Sequence, residues 1–256
     1  MTRFIYKHPL ALKGAHLAVL IQNYITRVCA TSGYLSKKKE PPLERIGTSY
    51  GGWWAPILEA NSKQKKFLLS AGLGFDTSFD VGMSERGYFV VGLDPLPECC
   101  EASRKSLIQS NNVLIINKGL AAFEGQQNFY EPKNPEHDSW STINVQEVPG
   151  SMSRIFDVTS ILRLHQDIAD FAGADYRYLK MDIEGAELEI LEKSLAELCV
   201  FDFIGIEMDF LSLIPFTNLR KRVKRIVKAR KILKNLQLAG YKLIKMDNFN
   251  FFWSKR

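Results

Sequence analysis

Three short stretches carry residue types at spacings suited to chemistry. Ser70-Ala71-Gly72-Leu73-Gly74-Phe75-Asp76 places two glycines directly after an apolar run. Glycines there let the backbone turn sharply and approach a ligand without a Cβ in the way, although a plain tight turn uses them too. Asp94 follows Gly74 by about 20 residues, the spacing at which a carboxylate at the tip of the next strand accepts ribose hydroxyls. The same Asp is equally suited to cap the helix entered through Pro95 and Pro97, and Asp76 has a similar double reading as ligand contact or N-cap. The third stretch, Lys180-Met181-Asp182-Ile183-Glu184-Gly185-Ala186-Glu187, ends an apolar run. With a period of two, Asp182 and Glu184 project to one side of the strand end. Glu207 closes a further apolar run and joins them as a candidate base or acceptor-orienting group, while Glu187 and Glu189 are expected to face solvent.

The absent patterns narrow the chemistry. Position 77 is Thr, so the three-glycine dinucleotide pattern is incomplete, and there is no GxxxxGK[ST] loop. His8, His16, His137 and His165 are scattered, and Cys29, Cys99, Cys100 and Cys199 have no ligand-like spacing. No residue spacing demands a metal. The cysteine usage points to a reducing compartment and to packing roles for the Cys99-Cys100 pair.

The elements that must hold these residues read as strand (65 to 72), helix, strand (88 to 94), helix and strand (112 to 121). That alternation is the pattern of a parallel sheet covered by helices, an α/β fold. Residues 122 to 154 are rich in Gly, Pro, Asn and Glu and read as an excursion from the sheet, with short extended pieces at 127 to 131 and 141 to 148. His137 and Trp140 lie in it, where they would line an acceptor pocket. Regular order returns with a helix from Val158, a strand ending in the Asp182 motif, a helix from Ala186, and a strand ending at Glu207. A long helix then runs from after Pro215 to about Leu238, stopped by Gly240. Two last extended pieces bring the sheet to seven strands, with Asn248, Asn250 and Trp253 near its far side.

The chain has 256 residues, of which 46% are apolar and 24% charged, enough for one sizeable core. Residues 1–52 read as an N-terminal helical extension and connector, and 53–256 as the main domain. The net charge of +6 hides two basic zones: residues 1 to 45, and Arg220 to Lys234, where nine basic residues meet no acidic one. Everything outside them sums to −9, which argues against a protein that coats nucleic acid with its whole surface. Leu219, Val223, Ile226, Val227, Leu233 and Leu236 give the basic helix an apolar face expected to pack on the sheet. No run of about 18 apolar residues appears, as a spanning helix needs.

The string Tyr178-Leu179-Lys180-Met181-Asp182-Ile183-Glu184-Gly185-Ala186-Glu187 resembles the signature of the FkbM family of S-adenosylmethionine-dependent methyltransferases. SAGLGFDTSFD, VVGLDPLPE and FIGIEMD occupy the places of neighbouring family motifs, so the resemblance spans about residues 65 to 254. It implies a Rossmann-like class I methyltransferase fold with a mainly parallel seven-stranded sheet. It also implies S-adenosyl-L-methionine as cofactor, with Gly72 and Gly74 along its methionine moiety, Asp94 on the ribose, Lys118 and Gly119 by the adenine, and Asp182 near the amino group or the acceptor. The first motif departs from the common family form, and Asp76 and Asp80 are expected to replace contacts made elsewhere in other members.

The resulting expectation is methyl transfer to a hydroxyl of a small molecule or sugar, with Asp182, Glu184 and Glu207 as acid-base or orienting groups. The alternatives are an RNA-binding or RNA-modifying protein that uses residues 220–234, a catalytically silent relative, and a nicotinamide dehydrogenase. The N-terminal segment is expected to lie against the body, a second copy or a membrane surface. The expected location is cytoplasmic, with peripheral membrane attachment left open.

Overall fold

The computed structural model describes residues 9–36, 41–58, 63–132, 139–142, 152–212 and 219–255. Apolar runs become strands and the stretches between them helices. The order begins with α1 (Pro9–Thr31), β1 (Leu43–Ile46), β2 (Trp53–Pro56), β3 (Lys66–Ala71), α2 (Ser78–Glu85), β4 (Tyr88–Leu93), α3 (Pro97–Ser106) and β5 (Val113–Ile116). It continues with β6 (Gly119–Leu120), β7 (Gly125–Tyr130), β8 (Ser153–Thr159), α4 (Ile161–Asp167), α5 (Ala169–Ala172) and β9 (Tyr176–Met181). It ends with α6 (Glu187–Lys193), α7 (Leu195–Leu198), β10 (Phe203–Glu207), α8 (Asp209–Ser212), α9 (Leu219–Leu238), β11 (Tyr241–Asp247) and β12 (Asn250–Lys255).

Seven strands form the main sheet in the order β11-β12-β10-β9-β3-β4-β5, with β12 alone antiparallel to its neighbours. Alternation along β3 sends Phe67, Leu69 and Ala71 into the core beneath α4 to α7 and α9, and Leu68 into a second core with Trp53, Phe79 and Phe252. Burial on both faces is why these strands read as continuous apolar runs. The strand order reverses between β3 and β9, so the crevice where an open α/β sheet takes its ligand lies at their carboxyl ends.

Four local expectations change. The expected connector contains a strand, β1, which pairs antiparallel with β2 at the start of the main domain, and together they bury Ile46, Trp53 and Ala55 against the sheet. Four-residue strands beside Pro and Gly leave too little periodicity to read. The single strand expected at 112 to 121 splits, because Asn117 Nδ2 donates to the carbonyls of Asp94 and Pro95 at 3.0 Å each and holds a turn after β5. Third, β6, β8 and β7 form a small separate sheet, so Ser153–Thr159 is strand where the excursion and the start of a helix were expected. That helix begins at Ile161, where Ser160 Oγ accepts the Arg163 N–H at 3.2 Å.

Finally, α9 turns Ala229, Ile232, Leu233 and Leu236 inward, a stripe that leaves Val223 and Val227 on the other side, exposed. Gly240 follows α9 with φ +93, as a C-terminal glycine should. Among the described residues no helix is long and apolar enough to cross a membrane. His137, Pro215 and residues 143 to 148 lie outside the described residues.

Candidate active site

At the reversal point two backbones nearly touch. A Cβ on Gly72 would lie 1.7 Å from the Asp182 carbonyl oxygen, and Gly72 has φ +80, so position 72 admits only glycine. The Gly72 N–H donates to the Leu93 carbonyl at 2.9 Å, and the Asp182 N–H to the Ala71 carbonyl at 3.0 Å, so the three strand ends are locked together. Gly74 follows with φ +57. Asp94 shapes this loop from the next strand: its Oδ2 accepts the N–H groups of Leu73 at 3.0 Å and Gly74 at 3.1 Å, and its Oδ1 accepts Leu96 N–H at 2.9 Å. Asp94 thus holds the turn that leads into α3, whose N-cap is Leu96, and borders the crevice. A carboxylate has about four acceptor sites, so capacity remains for a ligand hydroxyl. Burial pushes the Asp94 carboxyl up and its three N–H partners pull it back down.

The crevice is a cavity of about 380 Å³. Its lining includes Gly72, Gly74 and Asp94 from the ends of β3 and β4, Gly119, Phe129 and Trp140 from the small sheet and excursion, and Asp182, Glu184, Glu207 and Asn250 from the other side of the strand order. Of the paired expectation at 118 and 119, Gly119 lines the cavity and Lys118 does not. Asp76 lines it too, but is drawn outward: it accepts Thr48 Oγ1 and the N–H of Gly51 at 3.2 Å and of Ser78 at 3.0 Å. These bonds lower its pKa against the opposing effect of burial and pin the 48–51 segment at the mouth. Asp80 is fully buried, with its carboxyl raised by burial first, and does not line the cavity. Trp253 is a core residue, Asn248 sits in the last hairpin at φ +53, and His165 packs edge-on against Phe171 at 4.9 Å.

The Asp182 motif arrives by a different route from strand alternation. β9 ends at Met181, and Glu184 and Gly185 take φ of +53 and +101, turning the chain so that Glu184 still borders the cavity. Ser141 Oγ donates to the Glu184 carbonyl, which ties the excursion to this turn. Lys180, two residues before Asp182 on the same face, is buried; its Nζ donates to the Gly72 carbonyl, lies 3.7 Å from Asp182 Oδ2 and sits 5.2 Å over the Trp53 ring.

Ligand oxygens of Asp182, Glu207 and Asp209 lie within 4.8 Å of one another. Either retained protons or a divalent cation must offset carboxylates this close, so these three are the residues that would hold an ion. Burial, then the Asp182 charge and a hydrogen bond to Asp182, push Glu207 up to about 9. Burial, then Glu207 and Glu184, push Asp209 up to about 10. Glu187, expected in solvent, is fully buried and accepts the Phe210 N–H at 3.2 Å; burial raises it to about 7. Its place in the first turn of α6 faces α8, a meeting that no local pattern announces.

The methyltransferase FkbM domain model matches residues 71–243, two thirds of the chain, from the end of β3 into β11. The chain belongs to the FkbM methyltransferase family. No curated protein sequence matches it. Among solved structures it is similar to the Methanococcus jannaschii fibrillarin pre-rRNA processing protein, at 11% identity and a TM-score of 0.41 over 86% of each chain. It is also similar to a putative caffeoyl-CoA O-methyltransferase from Staphylococcus aureus, at 10% identity and a TM-score of 0.41 over 75% of this chain and 76% of that one.

FkbM membership and the seven-stranded sheet make this a class I methyltransferase fold, and imply S-adenosylmethionine as methyl donor. The lining fits that donor. Five of its ionisable side chains are carboxylic (Asp76, Asp94, Asp182, Glu184, Glu207) and one, Lys180, is basic and already engaged. Such a wall suits a ligand with sulfonium and ammonium charges and opposes a pyrophosphate. Lys180 and Asp209 were missed as site residues. For Lys180 the signal was available, because it is a lone basic residue at the end of the same apolar run, two positions before Asp182.

Proposed function

We propose that this FkbM-family protein is an O-methyltransferase that acts on a hydroxyl of a small molecule or sugar. The observation that supports it is the Asp182–Glu207 pair at the cavity edge. A hydroxyl must lose its proton as the oxygen is methylated, whereas a neutral amine can shed its proton to water afterwards. S-adenosylmethionine, held along the Gly72 to Gly74 loop, supplies an electrophilic methyl group. Lys180 fixes Asp182 by an ion pair at 3.7 Å. Glu207 retains its proton at neutral pH and donates it in a hydrogen bond to Asp182. Asp182 is thus the group that accepts the hydroxyl proton, and Glu207 is a neutral positioning donor rather than a second base. Glu184, with its backbone turned at φ +53, orients the acceptor from the same edge. Alignment of acceptor and methyl supplies much of the rate in such a displacement.

The test is release of S-adenosylhomocysteine from S-adenosylmethionine with panels of hydroxylated and amine acceptors, alongside calorimetry of cofactor binding. Turnover with hydroxyl acceptors that Asp182→Asn abolishes supports the reading. Turnover confined to amines, or unchanged in Asp182→Asn, overturns oxygen transfer, and absence of cofactor binding overturns the activity as a whole.

A further inference from the structure

The N-terminal helix is packed inside out. Between residues 19 and 31 its buried positions are Gln22, Thr26, Ala30 and Thr31, while Val19, Leu20, Ile21, Tyr24, Ile25 and Val28 are exposed, Tyr24 at 60%. In a helix that only covered a core the apolar side would face inward. α1 is held in this orientation by α9, its neighbour: Arg230 Nη1 donates to the carbonyls of Cys29 at 3.0 Å and Ser32 at 3.2 Å and lies 5.2 Å over the Tyr34 ring. α9 adds its own exposed apolar pair, Val223 and Val227.

Along the sequence both segments carry charge of one sign. Residues 1–39 contain seven Lys and Arg and no Asp or Glu, and the stretch from Arg220 to Lys234 contains nine and none. Lys224, Lys231 and Lys234 are exposed on α9. Lys228 pairs with Glu192 at 3.0 Å, but the exposed Lys224, Lys231 and Lys234 of a second copy would meet their own counterparts across a two-fold axis, which opposes a dimer through this face. A nucleic acid would match the charge and leave the aliphatic side chains in water. We infer that α1 and α9 together form a docking face for an anionic lipid surface, with the exposed aliphatic and tyrosine side chains entering the headgroup boundary and the lysines and arginines meeting acidic headgroups. The protein would lie on the membrane, since no described helix can cross it.

The test uses the full chain and sedimentation with vesicles of phosphatidylcholine alone or mixed with phosphatidylserine. Binding is expected to the mixed vesicles only, and to weaken at least about 10-fold when salt is raised to screen the headgroups. Leu20→Ser with Tyr24→Ser, and separately Lys224→Glu with Lys231→Glu, should each weaken it about 10-fold or more with unchanged circular dichroism. Failure of the wild-type protein to bind phosphatidylserine vesicles at low salt overturns the inference, and that arm depends on no variant. So does binding that the charge reversals abolish and the serine pair leaves intact, which marks a polyanion such as RNA. A solution dimer that the serine pair dissociates, without vesicle binding, assigns the face to a second copy.

Discussion

Glu207→Gln separates a retained proton from an ionised carboxylate. Glu207 is raised from 4.5 to about 9, first by burial and then by the Asp182 charge and its hydrogen bond to Asp182. The folded state therefore keeps a proton that the unfolded chain has released over the window between those two values. A raised carboxyl contributes stability that is fully present below pH 4.5 and is lost as pH rises through 9. One such proton gives a slope of about −1.4 kcal/mol per pH unit, flattening near pH 9, so about 2 kcal/mol disappears between pH 7 and pH 9 from this group alone. Glutamine has the shape of the protonated carboxyl and can still donate to Asp182. The gap between variant and wild type should therefore widen in the variant's favour by about 1.4 kcal/mol per pH unit, roughly 4 kcal/mol from pH 6 to pH 9. Urea unfolding at pH 6, 7, 8 and 9, with both proteins fitted to a common m-value, gives the difference directly. A stability difference that does not change between pH 7 and pH 9 would refute the retained proton. A large loss at pH 6 would show that Glu207 is held there as an anion whose charge the fold requires.

Gly72→Ala places a Cβ 1.7 Å from the Asp182 carbonyl in a residue at φ +80, so it should destabilise the fold by at least about 3 kcal/mol; wild-type urea midpoint and cofactor affinity in this variant would contradict the packed crossing of β3 and β9. Lys180→Met removes the partner of Asp182 and the donor to the Gly72 carbonyl at a buried position. It should cost about 3 to 5 kcal/mol in thermal or urea denaturation and weaken S-adenosylmethionine binding in calorimetry, whereas an unchanged affinity would remove Lys180 from the site.

Much of the cofactor edge was legible because it depends on local signals. A glycine pair after an apolar run, an Asp at the tip of the next strand and an Asp182 motif at the end of another each announce a strand end, and parallel strands put such ends on one side. The seven strands were legible for the same reason, since burial on both faces leaves runs such as Phe67 to Leu69 and Phe89 to Val91 without polar interruption. The small third sheet was not, because Gly125–Tyr130 and Ser153–Thr159 are half exposed and find each other only across the excursion. Lys118 and Gly119 are neighbours in sequence, yet only the glycine faces the cavity, because the turn held by Asn117 redirects the chain between them.

The sequence by itself determined the α/β class, the order of the strands along the chain and the candidate carboxylates, because periodicity and turn residues act over a few positions. The tertiary structure decided what those carboxylates are. Asp182, Glu207 and Asp209 converge from β9, β10 and α8, and burial together with that convergence raises Glu207 and Asp209. It likewise buried Glu187 and turned the apolar side of α1 outward. Electrostatic coupling and burial depend on which elements meet across space, and no spacing along the chain records that.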